Sequence, residues 1–243
     1  MHDTAYELGK AFFALYARPT TTSIIDIGSM DVNGTLRDWC PAGAKYTGAD
    51  IAPGKGVDVV IESTWRLPFE NDSFDLAVSS SCFEHDPMFW VTFLETLRVL
   101  KPGGYAYLNV PSNGKYHAHP FDCWRFYPDS GLALEQWARH SNVEAHLVES
   151  FIADRARAEW NDCVLIFCKG PLQRPERFLV DLVPRARNVR KAGHEGLLKA
   201  SEPTEDQRII RNLVGQLRQA QGVKAAQAVQ QPAQGAKPGP SAK

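Results

Sequence analysis

No apolar stretch in the 243 residues is long enough to cross a bilayer, so stable membrane insertion is not expected. The five cysteines, Cys40, Cys82, Cys123, Cys163 and Cys168, are odd in number and form no CxxC pair. That argues against a disulfide framework or a zinc ribbon and fits reduced thiols in a cytoplasmic protein. The start, MHDTAYELGKAFFALYARP, lacks a basic segment followed by an apolar run, so a signal peptide is not expected. No GxGxxG follows any strand-like run, and no internal repeat is present. A net charge of −1 gives no chain-wide attraction to nucleic acid.

That average hides a division. Residues 1–170 carry 14 Lys+Arg against 22 Asp+Glu, and residues 171–243 carry 13 against 6. A net of −8 over the first part repels phosphates. The second part reads either as a basic arm for an acidic partner or as a solvated extension.

Apolar periodicity places a helix over 3–17, ended by Pro19. Strand-like runs follow at Ser23–Gly28, Lys45–Asp50, Val57–Ile61, Phe74–Ser79 and Tyr105–Val110. Between the last two, Phe89, Phe93, Leu97 and Leu100 recur at helical spacing, with Asp86 as the cap and Pro102-Gly103-Gly104 as the stop. A helix over Asp129–His140 and strands at His146–Ile152 and Cys163–Cys168 come next. The alternation predicts an α/β fold, doubly wound around a mostly parallel sheet of seven strands. The expected division is a helical segment over 1–22, the main domain over 23–170, a basic, partly helical extension over 171–220 and a disordered tail over 221–243. The extension's helix is expected at Thr204–Gln219, and the Ala/Gln/Pro/Gly composition suggests the tail.

The chemistry concentrates where strands end. Ile24-Ile-Asp26-Ile-Gly28 is an apolar strand closing on an acid and a glycine, which lets a ligand approach bare backbone amides beside a helix N-terminus. Asp26 suits a cationic amino group. Asp50 ends the second strand 24 residues later, the spacing of a strand–helix–strand unit, and can accept both hydroxyls of a ribose. Ile51 can then pack on an adenine. These features indicate a nucleoside.

Leu67-Pro-Phe69 and Ser73-Phe-Asp75 lead into the fourth strand, Glu84-His85 follows it, and Leu100-Lys-Pro-Gly-Gly104 enters the fifth. This ordered string resembles the class I S-adenosylmethionine-dependent methyltransferase family, in particular a broad bacterial group acting on small molecules, over roughly residues 23–112. The resemblance implies a Rossmann-like fold, S-adenosyl-L-methionine as cofactor, and Asp26, Gly28 and Asp50 lining it. Ser63, Thr64 and Trp65 occupy the loop after the third strand, where the family often has an acid that reads the adenine, and Ser80 ends the fourth strand. Met30 and Val32 stand where the family has glycines.

The acceptor side is read from Glu84-His85 and from the loop Pro111–Tyr127, which holds His117, His119, Asp122, Trp124 and Arg125. Its HP-DCWRF-P segment is similar to one in bacterial methyltransferases of uncharacterised or carbohydrate-linked pathways. Aromatic walls with a few polar groups suit a small polar acceptor. His85 is the first expected proton acceptor, with His117 or His119 the second. Asp122 and Arg125 can instead pair with each other and hold the loop. His117-x-His119 lacks an obvious acid or thiol to complete a ligand set, so no metal is expected. Two other classes remain open: a non-catalytic binding protein on a decayed domain, favoured by Met30 and Ser63, and a nicotinamide oxidoreductase, disfavoured by the missing GxGxxG.

Overall fold

The computed structural model describes residues 1–230, with side chains through Gln221. It divides into a unit formed by Met1–Ser201 and a second beginning at Glu202.

In the first unit, β1 (Ser23–Ile27), β2 (Lys45–Asp50), β3 (Val59–Val60), β4 (Phe74–Ser80), β5 (Leu100–Pro111), β6 (Ala145–Ala153), β7 (Asp162–Lys169) and β8 (Arg187–Lys191) form one sheet in the order β3-β2-β1-β4-β5-β7-β6-β8. Pairing is parallel from β3 to β5 and antiparallel from β5 to β8. The order reverses at β1, so the carboxyl ends of β1 and β4 flank a crevice where α/β sheets bind ligands.

Successive side chains on a strand point to opposite faces, and both faces are covered. Ile25 and Ile27 lie with Phe93 and Leu97 of α2 (Phe89–Val99) and Leu134 and Ala138 of α3 (Asp129–His140). Ile24, Leu76, Val78 and Tyr107 lie instead with Leu8, Phe12, Phe13 and Tyr16 of α1 (Asp3–Tyr16). The continuous apolar burial along β7 reflects a strand enclosed on both sides.

Four expectations need correction. The β1–β2 connection contains only a 3-10 turn, Leu36–Trp39, and α1 covers that face instead. The sheet has eight strands, not seven, because β8 pairs with β6. The compact unit therefore runs past residue 170 to Ser201. Leu179 and Val180 are buried, and their amides donate to buried Glu149 on β6 at 2.8 Å each. Tyr16 of α1 donates its hydroxyl to the same carboxylate. Third, α2 begins at Phe89; Asp86 caps Met88 N at 2.9 Å and leaves the first helical turn to start later.

In the second unit, α4 spans Glu205–Gln230. Thr204 Oγ1 accepts from Gln207 N and Gln207 Oε1 accepts from Thr204 N, at 3.2 and 3.1 Å, a reciprocal capping box. The fourth correction lies here: the helix continues past Gln221 into the expected tail, carried by Ala and Gln, which are good helix formers. The rest of that expected tail, 231–243, lies outside the described residues. Several basic residues after 170 are paired inside the first unit: Arg187 with Asp154, Arg190 with Asp129 and Lys191 with Asp181.

Candidate functional site

The turn after β1 is shaped by Gly28. Its φ is +79°, and a Cβ there would lie 2.5 Å from the Cβ and Sγ of Cys82, in the turn after β4. Only glycine lets the two turns meet. Burial pushes the Cys82 thiol up, so it packs as a neutral side chain. The amides expected to be bare are occupied: Gly28 N and Ser29 N donate to Ala49 O, Met30 N to Asp50 Oδ2 and Asp31 N to Lys55 O. With no helix following β1, the turn folds against β2.

Asp26, Gly28, Ser29, Met30, Thr35 and Ser80 line a small pocket at this edge. Among the described residues, the buried hydroxyls of Ser29 and Ser80 have no hydrogen-bond partner. Asp26 is fully enclosed and accepts from Tyr46 Oη at 2.7 Å. Loss of water pushes its carboxyl up to about 7, although the Tyr46 hydrogen bond acts the other way. An acid at the end of β1 and two unpaired hydroxyls fit the amino and carboxyl groups of an amino-acid moiety.

Because the Asp26 pKa lies above that of an unfolded chain, its contribution to stability is complete below about pH 4 and lost as pH rises through about 7. Asp26→Asn keeps an acceptor for Tyr46 and removes the titration. The melting temperature of ligand-free Asp26→Asn is therefore expected to fall less than that of the parent between pH 5 and 8. An equal or steeper fall would contradict the assignment.

Asp50 lies at the tip of β2. Its Oδ1 accepts from Ala52 N at 3.3 Å and Oδ2 from Met30 N at 3.1 Å. Each oxygen retains a second lone pair for a ribose hydroxyl. Ile51 beside it is 53% exposed, open to an aromatic ring.

The loop after β3 is organised otherwise than expected. Ser63 Oγ accepts from Trp65 N at 3.0 Å. Thr64 Oγ1 and Trp65 Nε1 donate to the carboxylate of buried Asp86, at 3.0 and 3.1 Å. Thr92 Oγ1 donates to it as well. Two of the three residues expected to read the adenine thus tie their loop to the turn after β4. Asp86, read in the sequence only as a cap, is the hub.

Beyond β4, the Glu84 carbonyl accepts from Cys123 N and Trp124 N, at 2.7 and 3.2 Å. Trp124 Nε1 donates to Asp86 O at 2.9 Å. The loop after β5 is thereby folded over the turn after β4. Gly114 (φ +106°) supports this path, because a Cβ there would stand 1.9 Å from Trp160 Cζ3. The Trp160 ring lies 4.6 Å from that of His117. Neither contact was legible, since Trp160 arrives from a distant connection.

The fold of this loop brings the three expected histidines together. The ring of His85 lies 4.9 Å from that of His117 and 5.9 Å from that of His119. Phe121 O lies 2.6 Å from His85 Nδ1 and can only accept, so Nδ1 carries the proton and Nε2 the lone pair. Burial holds the His85 pKa below its usual value and favours the neutral ring. Glu84 Oε1 stands 3.6 Å from His85 Nε2, and desolvation raises the Glu84 carboxyl to about 8. Asp122 and Arg125 form a bidentate pair at 2.5 and 2.9 Å, and Arg125 also donates to Lys115 O. The Arg125 guanidinium holds the Asp122 carboxyl well below its usual range. This pair closes the loop. Exposed Tyr116, Phe121 and Trp124 supply apolar surface around it.

A cavity at the opposite, amino edge is lined by Arg18, Asp75, Lys101 and Tyr105. There Asp75 pairs with Lys101 at 2.8 Å, away from every residue above.

Residues 25–108 match the family described as a methyltransferase domain. A protein of Mycobacterium avium (strain 104) named an uncharacterized methyltransferase is 31% identical over 130 residues, covering 46% of this chain and 51% of its own length. The phthiotriol/phenolphthiotriol dimycocerosates methyltransferase of Mycobacterium leprae (strain TN) is 37% identical over 86 residues, 29% of this chain and 31% of that protein. The chain thus spans about half or less of the curated relatives it matches. In solved structures, the 1,6-didemethyltoxoflavin-N1-methyltransferase of Burkholderia thailandensis, bound to its substrate and S-adenosylhomocysteine, superposes with a TM-score of 0.52. That likeness covers 68% of this chain and 78% of that one at 18% identity, and shows a shared fold. Residues 25–108 thus match a methyltransferase domain, and the sheet that carries them shares its fold with a methyltransferase structure that holds S-adenosylhomocysteine.

Proposed function

We propose that the protein transfers a methyl group from S-adenosylmethionine to a small polar molecule, at oxygen or nitrogen, with a sugar or hydroxylated metabolite the best-fitting class. The observation that carries the reading is the meeting at one sheet edge of two acid-bearing strand ends, Asp26 and Asp50, with the histidine cluster after β4 and β5. The curated relatives named as methyltransferases support it.

When bound, the cofactor supplies a methyl group already activated on a sulfonium. The protein's part is mainly alignment, which contributes roughly 7–11 kcal/mol in favourable cases. Asp26, Ser29 and Ser80 hold the amino-acid end, and Asp50 holds the ribose. Exposed Tyr116, Phe121 and Trp124 offer apolar surface for the acceptor to lie against. For a hydroxyl acceptor, His85 is the proton acceptor: Nδ1 is held by Phe121 O, and its lowered pKa keeps the lone pair on Nε2, beside Glu84, unprotonated at neutral pH. The net charge of −8 over residues 1–170 disfavours nucleic acid as the acceptor.

Asp50→Ala is expected to weaken S-adenosylmethionine binding more than tenfold, at least about 1.4 kcal/mol, because the ribose loses charge-assisted hydrogen bonds. Calorimetric titration of the folded variant measures this, and an unchanged affinity would remove Asp50 from the site.

A further inference from the structure

Glu84, His85 and His117 each bring one ligand atom within 4.8 Å of the other two. Donors held about 2.1 Å from a tetrahedral ion stand roughly 3.4 Å apart. The separation of Glu84 Oε1 and His85 Nε2 is already 3.6 Å. Small movements of the His117 loop would complete the set.

Three further observations point to a cation. Glu84 is 1% exposed, and among the described residues its Oε2 has no hydrogen-bond partner. Among the described residues its only ion-pair partner is His85, and the Arg125 guanidinium, which acts on it from farther off, is bound to Asp122. A buried carboxyl with an oxygen left over offers a ready ligand atom to a cation that enters the site. His117 Nδ1 is also buried with no hydrogen-bond partner among the described residues, although Asp122 Oδ2 stands 3.3 Å away. Finally, the Phe121 carbonyl orients His85 from behind and leaves Nε2 as the ligand atom, which is how metal-binding histidines are held.

We propose that Glu84, His85 and His117 form a binding site for a divalent first-row transition-metal ion. Two imidazoles and one carboxylate favour manganese, iron, cobalt, nickel or zinc over magnesium or calcium. Three protein ligands leave coordination positions open toward the acceptor side.

The catalytic consequence rests on the methyl-transfer reading; ion binding itself does not. A Lewis acid here lowers the pKa of an acceptor hydroxyl. The hydroxyl proton leaves to solvent, the oxygen–carbon bond forms and the carbon–sulfur bond breaks. A hydroxyl and a sulfonium thus give a methyl ether, a neutral thioether and one proton, with no redox change. With the ion bound His85 serves as a ligand, and in the metal-free protein its Nε2 takes the proton, so its loss lowers the rate in either state.

The test uses the full-length, untagged protein stripped with a chelator and titrated with Co²⁺, read by its visible absorption and by calorimetry. One ion per chain is expected. His117→Ala and Glu84→Gln should each weaken binding at least tenfold. His146→Ala should bind as the parent does, because His146 pairs with Glu135 away from this loop. S-adenosylmethionine binding in the same variants reports folding, and His117 lies on a loop where truncation leaves the core intact. Parent protein that binds Co²⁺ no better than His117→Ala, or an equal loss in His146→Ala, overturns the site even where cofactor binding is normal. Absent cofactor binding in the parent overturns the methyl-transfer reading and leaves the Co²⁺ titration decisive for the site.

Discussion

Glu149→Ala is expected to destabilise the protein by about 3–5 kcal/mol, seen as a lower denaturation midpoint with little change in slope. The Glu149 side chain is fully buried on β6. It accepts from Tyr16 Oη, Leu179 N and Val180 N, joining α1, the 3-10 turn Leu179–Leu182 and the sheet. Alanine leaves three buried donors unpaired, each costing about 1–3 kcal/mol, partly offset because a buried carboxyl is no longer desolvated. Glu149→Gln keeps one acceptor oxygen, enough for one of the two backbone amides and for Tyr16, and should cost less than alanine. If alanine and glutamine behave alike, the residues after 170 are not held by this carboxylate.

The second large effect is expected at His85. His85→Ala should lower kcat by about 10²- to 10⁴-fold with the acceptor saturating. It should change S-adenosylmethionine affinity little, since His85 lies among His117, His119 and Glu84 and not in the Asp26 pocket. Rate measurements with radiolabelled methyl donor, paired with binding of the donor alone, separate the two. Weakened donor binding with unchanged kcat would move His85 into the cofactor site.

The strand ends were legible because apolar runs closing on Asp26 and Asp50 mark the ends of parallel strands, and both acids lie where that pattern puts them. The crossover between those strands was not legible. The 24-residue spacing fits a strand–helix–strand unit, yet the segment forms only a short 3-10 turn, and α1 supplies the missing cover from before β1. β8 was missed for a different reason. Arg187-Asn-Val-Arg-Lys191 is an edge strand with one apolar residue, Val189, turned inward, so it shows no alternation. Glu149 sits in an apolar strand run with nothing to announce that its carboxyl receives amides from residues thirty positions away.

At the acceptor side, the residue types were legible but their grouping was not. The acid in the loop of His117-x-His119, Asp122, is taken by Arg125, and the acid that joins His85 and His117, Glu84, comes from the turn after β4. Asp122 and Arg125 were read as ligands for a substrate, or else as a pair. They are paired with each other, so any part they take in acceptor binding passes through the shape of the loop.

The carboxyl edge of β1 and β2 should be a site for S-adenosylmethionine. The most direct measurement is calorimetric titration of the full chain with S-adenosylmethionine, S-adenosylhomocysteine and NAD side by side. One molecule of S-adenosylmethionine or S-adenosylhomocysteine should bind per chain, competing with each other, and NAD should produce no heat of binding. Saturable NAD binding, or no binding of any of the three to folded protein, would contradict it.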